Sequence, residues 1–165
     1  MRLWFIKFIK FFMFLWLPVF FFFIGKERPF SELKIAVGIE GDSPFLIFLI
    51  NNNNSDCSVC NMTLFQLHSD SLISTVIPYT DRLIITRSVR EVEKKLYQDQ
   101  FSYLKPSIKI VAHDGFYEYL SSLLPSNCYQ GGTILVKGDS VICAYGYNNP
   151  DAYEKLIKCV SNIRP

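Results

Sequence analysis

Residues 45–60 read FLIFLINNNNSDCSVC, and the reading of this stretch decides the architecture. FLIFLI is apolar at every position, which suits a central strand covered by helices on both faces rather than a strand with one wet side. The polar run NNNNSD follows as a loop. From Ser58 to about Leu72, the apolar residues Val59, Met62, Leu64, Phe65 and Leu67 recur at mixed short steps that suit a helix. Cys57 and Cys60 therefore sit at the mouth of a strand-loop-helix, where the unpaired N–H groups of a first turn favour a thiolate.

Working outward, LKIAV (33–37) reads as a second buried strand, separated from FLIFLI by the turn-forming GIEGDSP (38–44). RLIIT (82–86) is a strand. SVREVEKKLYQDQF (88–101) opens on a capping serine and carries Glu91, Glu93, Lys94 and Lys95 on a solvated face, so a helix is expected. SIKIVA (107–112) alternates as a strand, and FYEYLSSLL (116–124) is a short helix stopped by Pro125. TILV and VICAY flank Lys137-Gly138-Asp139-Ser140, whose Gly-Asp centre suits a hairpin turn. Asn149 as N-cap and Pro150 at the first helical position launch a last helix to about Val160. The predicted class is α/β, a central mixed sheet flanked by helices, with no internal repeat.

The chain has 165 residues and a formal net charge of +2, which allows one domain, placed at 33–165 after a linker at 26–32. Its basic residues are scattered, so no nucleic-acid partner is expected. Residues 1–25 read as a membrane segment: Arg2, Lys7 and Lys10 precede an uncharged apolar run of 14 residues at 11–24. A spanning helix needs about 20 residues, and Lys7 and Lys10 can snorkel to supply the difference. Phe23 stands where a signal peptidase wants a small side chain, which favours an uncleaved anchor in membrane lipid over a cleaved signal peptide. The amino-terminal positive charge places the domain on the extracytoplasmic, periplasmic side.

The element order, with C-x-x-C at a strand-to-helix junction and a hairpin plus helix at the end, resembles the thioredoxin-like fold, in particular the TlpA-like thiol-disulfide oxidoreductases exported by bacteria. The resemblance covers roughly 33–160 and implies a three-layer sandwich. It also implies that Cys57 attacks a substrate disulfide and Cys60 resolves the mixed disulfide, with no cofactor beyond the thiols. The implied partners are exported client proteins carrying disulfides and a membrane or periplasmic electron donor. Two positions depart from the family pattern. Asp56 replaces the usual aromatic residue before the first cysteine, and its charge should raise the Cys57 pKa and favour a reductant. Gly131-Gly132-Thr133 replaces the cis-proline that docks substrate, with Gly132 as the residue that allows close backbone approach. The second reading from the same residues is a degenerate thioredoxin-like module that binds a partner or a metal without turnover.

Zinc would need two further ligands, and the chain has neither a second C-x-x-C nor paired histidines, so no metal is expected. His68, two turns beyond Cys60, reads as a solvated or core histidine. Cys143 in the hairpin and Cys159 on the last helix read as buried free thiols, with a Cys128–Cys143 bridge as the alternative in an oxidising compartment. His113-Asp114 lacks a nucleophile elbow for hydrolysis. Protease added to intact spheroplasts should digest the domain while the amino terminus stays protected; full protection of the domain would place it in the cytoplasm.

Overall fold

Strand β1 (Pro44–Ile50) has no polar side chain, and Phe45 to Leu49 are wholly buried. A strand of this kind needs both edges paired and both faces covered, and the computed structural model, which describes residues 29–51, 58–87, 95, 98–104, 108–126, 128 and 131–163, provides all four. On one edge β1 pairs in parallel with β2 (Arg82–Thr86), from Leu46 opposite Arg82 to Leu49 opposite Ile85. On the other it pairs antiparallel with β4 (Gly131–Lys137), from Pro44 opposite Lys137 to Ile50 opposite Gly131. Strand β3 (Lys109–Ala112) lies parallel to β2 at one sheet edge, and β5 (Ser140–Gly146) lies antiparallel to β4 at the other. The order β3-β2-β1-β4-β5 is a five-stranded mixed sheet.

The alternation of side chains along β1 then builds three layers. Leu46, Phe48 and Ile50 face a layer made by α2 (Ser58–Ser69), α3 (Ser71–Val76) and α5 (Ala152–Asn162), through Leu64, Leu67, Ile73, Leu156 and Val160. Phe45, Ile47 and Leu49 face α1 (Pro29–Val37) and α4 (Asp114–Ser122), through Phe30, Leu33, Val37, Tyr117 and Leu120. The expected α/β class and the mixed sheet between helices are both present.

The segment 33–37 is a correction: it is the end of helix α1 and not a strand. Leu33, Ile35 and Val37 alternate, but Phe30, Leu33 and Val37 also stand at i, i+3 and i+7, and it is this set that is buried while Ile35 is 83% exposed. The helix stops at Gly38, whose φ of +72° is open to glycine at no steric cost. Gly38 N–H donates to the Ile35 carbonyl and Ile39 N–H to the Lys34 carbonyl, the paired bonds of a Schellman ending.

Two helix boundaries also move. The helix expected over 58–72 breaks at Asp70, whose carboxylate caps α3 by accepting from Ile73 N–H. The last helix begins at Ala152, two residues later than the Asn149 cap predicts. Asn149 instead turns the chain, its side-chain oxygen accepting from Asp151 N–H and its carbonyl from Ala152 N–H. Of the helix expected over 88–101, Lys95 and residues 98–100 are helical, and 88–94 and 96–97 lie outside the described residues. The apolar run at 11–24 lies outside them as well. Among the described residues, no helix is long and apolar enough to cross a membrane.

Arg82 is a polar side chain in the core and among its largest, fully buried. Its guanidinium donates to the carbonyls of His68 and Ile77, at the ends of α2 and α3, and to the Ser74 hydroxyl. It also lies 4.2 Å from the Tyr79 ring centroid. Helix C-termini leave carbonyls unpaired and carry partial negative charge, so one cation satisfies both ends. Burial lowers the Arg82 pKa, opposed by attraction from Tyr79 and Asp70, but an arginine stays protonated. Arg82→Met should therefore cost about 3 kcal/mol in urea unfolding by leaving those acceptors buried and unpaired. Gly38→Ala, with nothing near the added methyl, should cost about 1 kcal/mol from backbone strain alone.

Candidate functional site

The parallel strands β1, β2 and β3 end at Ile50, Thr86 and Ala112, and all three carboxyl ends lie at one edge of the sheet. Antiparallel pairing brings the start of β4 and the end of β5 to the same edge, with Gly131 opposite Ile50 and Gly132 opposite Gly146. The carboxyl edge of strands is where open α/β sheets hold their ligands. From β1 the chain leaves this edge through Asn51 and enters α2, whose first turn includes Cys60. Cys57, the residue before Ser58 in sequence, lies outside the described residues, as does Asp56; for Cys60 the described feature is its place in the helix.

Gly131, Gly132 and Thr133 are all buried at this edge. Gly131 has φ +97°, and a Cβ there would fall 2.0 Å from the Leu49 carbonyl oxygen. A Cβ on Gly132 would fall 2.3 Å from the Tyr145 carbonyl oxygen and 2.8 Å from the Leu124 side chain. The close approach that glycine permits is thus made by β1, β5 and Leu124. Thr133 pairs with Phe48 and Tyr145, and its hydroxyl has no hydrogen-bond partner among the described residues. Gly132→Ala should push β4 from β5 and cost more than the roughly 1 kcal/mol of a strain-only glycine replacement, read as a larger fall in urea midpoint than Gly38→Ala gives.

Cys128 belongs to the same edge, which no local sequence signal foretold. Its sulfur sits on the Cα of Gly146, where a Cβ would come within 1.9 Å. Burial pushes the Cys128 thiol up, only partly offset by a hydrogen bond from the Gly146 backbone. Cys128, Cys143 and Cys159 are not in disulfides, so the Cys128–Cys143 bridge is not formed. Cys128 packs on the α1/α4 side of the sheet and Cys143 on the α2/α5 side, which separates them by the sheet itself. Cys143 and Cys159 pack against the core as half-buried thiols.

His68 is a core histidine, buried, with its ring edge-on to Tyr79 at 5.2 Å. His113 is exposed and caps α4, its Nδ1 accepting from Phe116 N–H at 3.2 Å. Arg87, just past β2 at the carboxyl edge, lies over the Tyr117 ring at 5.1 Å. Burial raises the Tyr117 pKa, against the opposing pull of the Arg87 charge. Among the described residues no group of three or more His, Cys, Asp or Glu side chains is arranged to hold a metal ion.

On the outer side of α2, Met62 and Phe65 are exposed, and Phe65 lies 6.0 Å from the exposed ring of Tyr103. Met62 and Phe65 thus form an apolar strip on the same helix as Cys60, with Tyr103 beside it. Comparison with known proteins found no matching family model, no matching curated protein and no matching solved structure.

Proposed function

We propose that this chain is a membrane-anchored, thioredoxin-like thiol-disulfide oxidoreductase that acts on disulfides of exported proteins through Cys57 and Cys60. The observation that carries the reading is that Cys60, the second cysteine of the C-x-x-C, lies in the first turn of α2, the helix that follows the buried strand β1 of a mixed sheet. The three layers, the terminal hairpin and the closing helix α5 agree with the resemblance read from the sequence. Helix N–H groups without partners lower the free energy of a nearby thiolate.

In the reducing direction, the Cys57 thiolate attacks a client disulfide, forms a mixed disulfide and releases one client thiol. Cys60 then attacks the Cys57 sulfur, closing the Cys57–Cys60 bond and releasing the second client thiol. Two electrons and two protons pass to the client, and an electron donor at the membrane or in the periplasm restores the dithiol. Asp56 disfavours the thiolate and so stabilises the disulfide relative to the dithiol, which favours this direction. The exposed strip of Met62, Phe65 and Tyr103 offers apolar surface to a client chain. No cofactor beyond the two sulfurs is required.

The buried Gly131-Gly132 pair favours a second reading, a thioredoxin-like module that binds a partner without turnover, because it leaves no exposed strand where a docking proline would stand. The two readings separate in one experiment on the full chain in detergent. Wild type should reduce insulin disulfides with dithiothreitol as donor, and Cys57→Ser should lose at least about 100-fold in rate, the order of loss for removing a nucleophile. Equal rates in the two proteins would remove the oxidoreductase reading.

A further inference from the structure

Cys143 and Tyr145 stand two apart on β5 and so share a face, the one on which α5 packs. Cys159 of α5 comes down beside both. Its sulfur is 3.4 Å from the Tyr145 hydroxyl, and Cys143 packs against the same core cluster from the same sheet face. The two half-buried cysteines therefore lie on facing sides of the β5–α5 contact, both next to Tyr145.

We propose that Cys143 and Cys159 are a second redox pair, closing under a low-molecular-weight disulfide into a bond that staples α5 to the edge strand β5. One of the two sulfurs attacks the small disulfide, forming a mixed disulfide and releasing one small thiol. The other then attacks the protein sulfur of that mixed disulfide and releases the second small thiol. Two electrons and two protons leave the cysteine pair and reduce the oxidant, so the exchange balances. Half-burial admits a small disulfide and excludes a folded client, which sets this pair apart from the C-x-x-C chemistry and makes it independent of it.

Burial and the neighbouring sulfur push the Cys143 thiol well above its ordinary range. A thiol so hard to ionise is a slow attacker and, once in a disulfide, a poor leaving group, so the bond should form slowly and persist. Closure also matters beyond β5. Helix α5 carries Tyr153, whose hydroxyl donates to the Asp70 carboxylate at 2.6 Å, and Asp70 caps α3. Fixing α5 on β5 thereby steadies the α2–α3 corner around Arg82.

The test uses the full chain in detergent, treated with oxidised glutathione while folded, alkylated and digested with trypsin. The expected product is a covalent link between the peptides 138–155 and 159–165, together with a rise in thermal midpoint that dithiothreitol reverses. In a variant with Cys57, Cys60 and Cys128 all replaced by serine, two thiols per chain should disappear without bound glutathione. Cys143→Ser in the same background should abolish both the link and the midpoint rise. Glutathione retained on either cysteine, both thiols still free after oxidation, or a link seen only in denatured chain would overturn the proposal. The wild-type peptide map decides the matter if the multiple variant does not fold.

Discussion

The burial of β1 on both faces and both edges is the constraint on which the other elements depend. Phe45 to Leu49 have no exposed surface, and the backbone of β1 is paired from Leu46 to Leu49 with β2 and along its whole length with β4. Removing either partner strand would leave a row of buried N–H and C=O groups unpaired, and removing either helical layer would expose half of an apolar strand. Antiparallel β4 and parallel β2 on opposite sides of one strand make the sheet mixed, and the alternation along β1 divides the core between two helical layers.

The layer under α2 and α3 contains the main polar cost of the fold and its compensation. Arg82 enters the core at the start of β2 and meets the carbonyl ends of two helices, while Asp70 caps α3 and receives the Tyr153 hydroxyl from α5. The hydrogen bond to Asp70 is the largest cause of the raised Tyr153 pKa. The Tyr153–Asp70 bond joins residues 83 apart in sequence, and the Arg82 bonds hold the ends of α2 and α3 at the start of β2. The direction of α2 in turn sets where its first turn, with Cys60, lies against the sheet.

At the carboxyl edge, the chemistry and the packing compete for the same space. Glycine at 131, 132 and 146 lets three strands and the Cys128 sulfur approach more closely than any side chain would allow. The edge is consequently dense beneath β4 and β5, and apolar surface is offered instead along α2, where Met62 and Phe65 stand free of the core. Thiols occur on both sides of the sheet: Cys128 on the α1 and α4 side, Cys143 and Cys159 on the opposite one. Their separation by the central layer decides which sulfurs can meet.

By itself the sequence determined the strands at 45–50 and 82–86, a strand within 107–112, the hairpin across Gly138 and a last helix, placed two residues early at Pro150, because each is written in local apolar patterning and turn chemistry. It also placed Cys60 at the start of a helix, where α2 begins. It misread 33–37, where alternation and helical spacing coincide and only the demand for a cover over Phe45, Ile47 and Leu49 separates them. Tertiary structure alone decided that Arg82 closes two helix ends, that Gly132 accommodates Tyr145 and Leu124, and that Cys143 shares its side of the sheet with Cys159 and not with Cys128. Each of these is a contact between residues distant in sequence or on different elements, set by strand register and by which face of the sheet a side chain takes, and no local pattern encodes either.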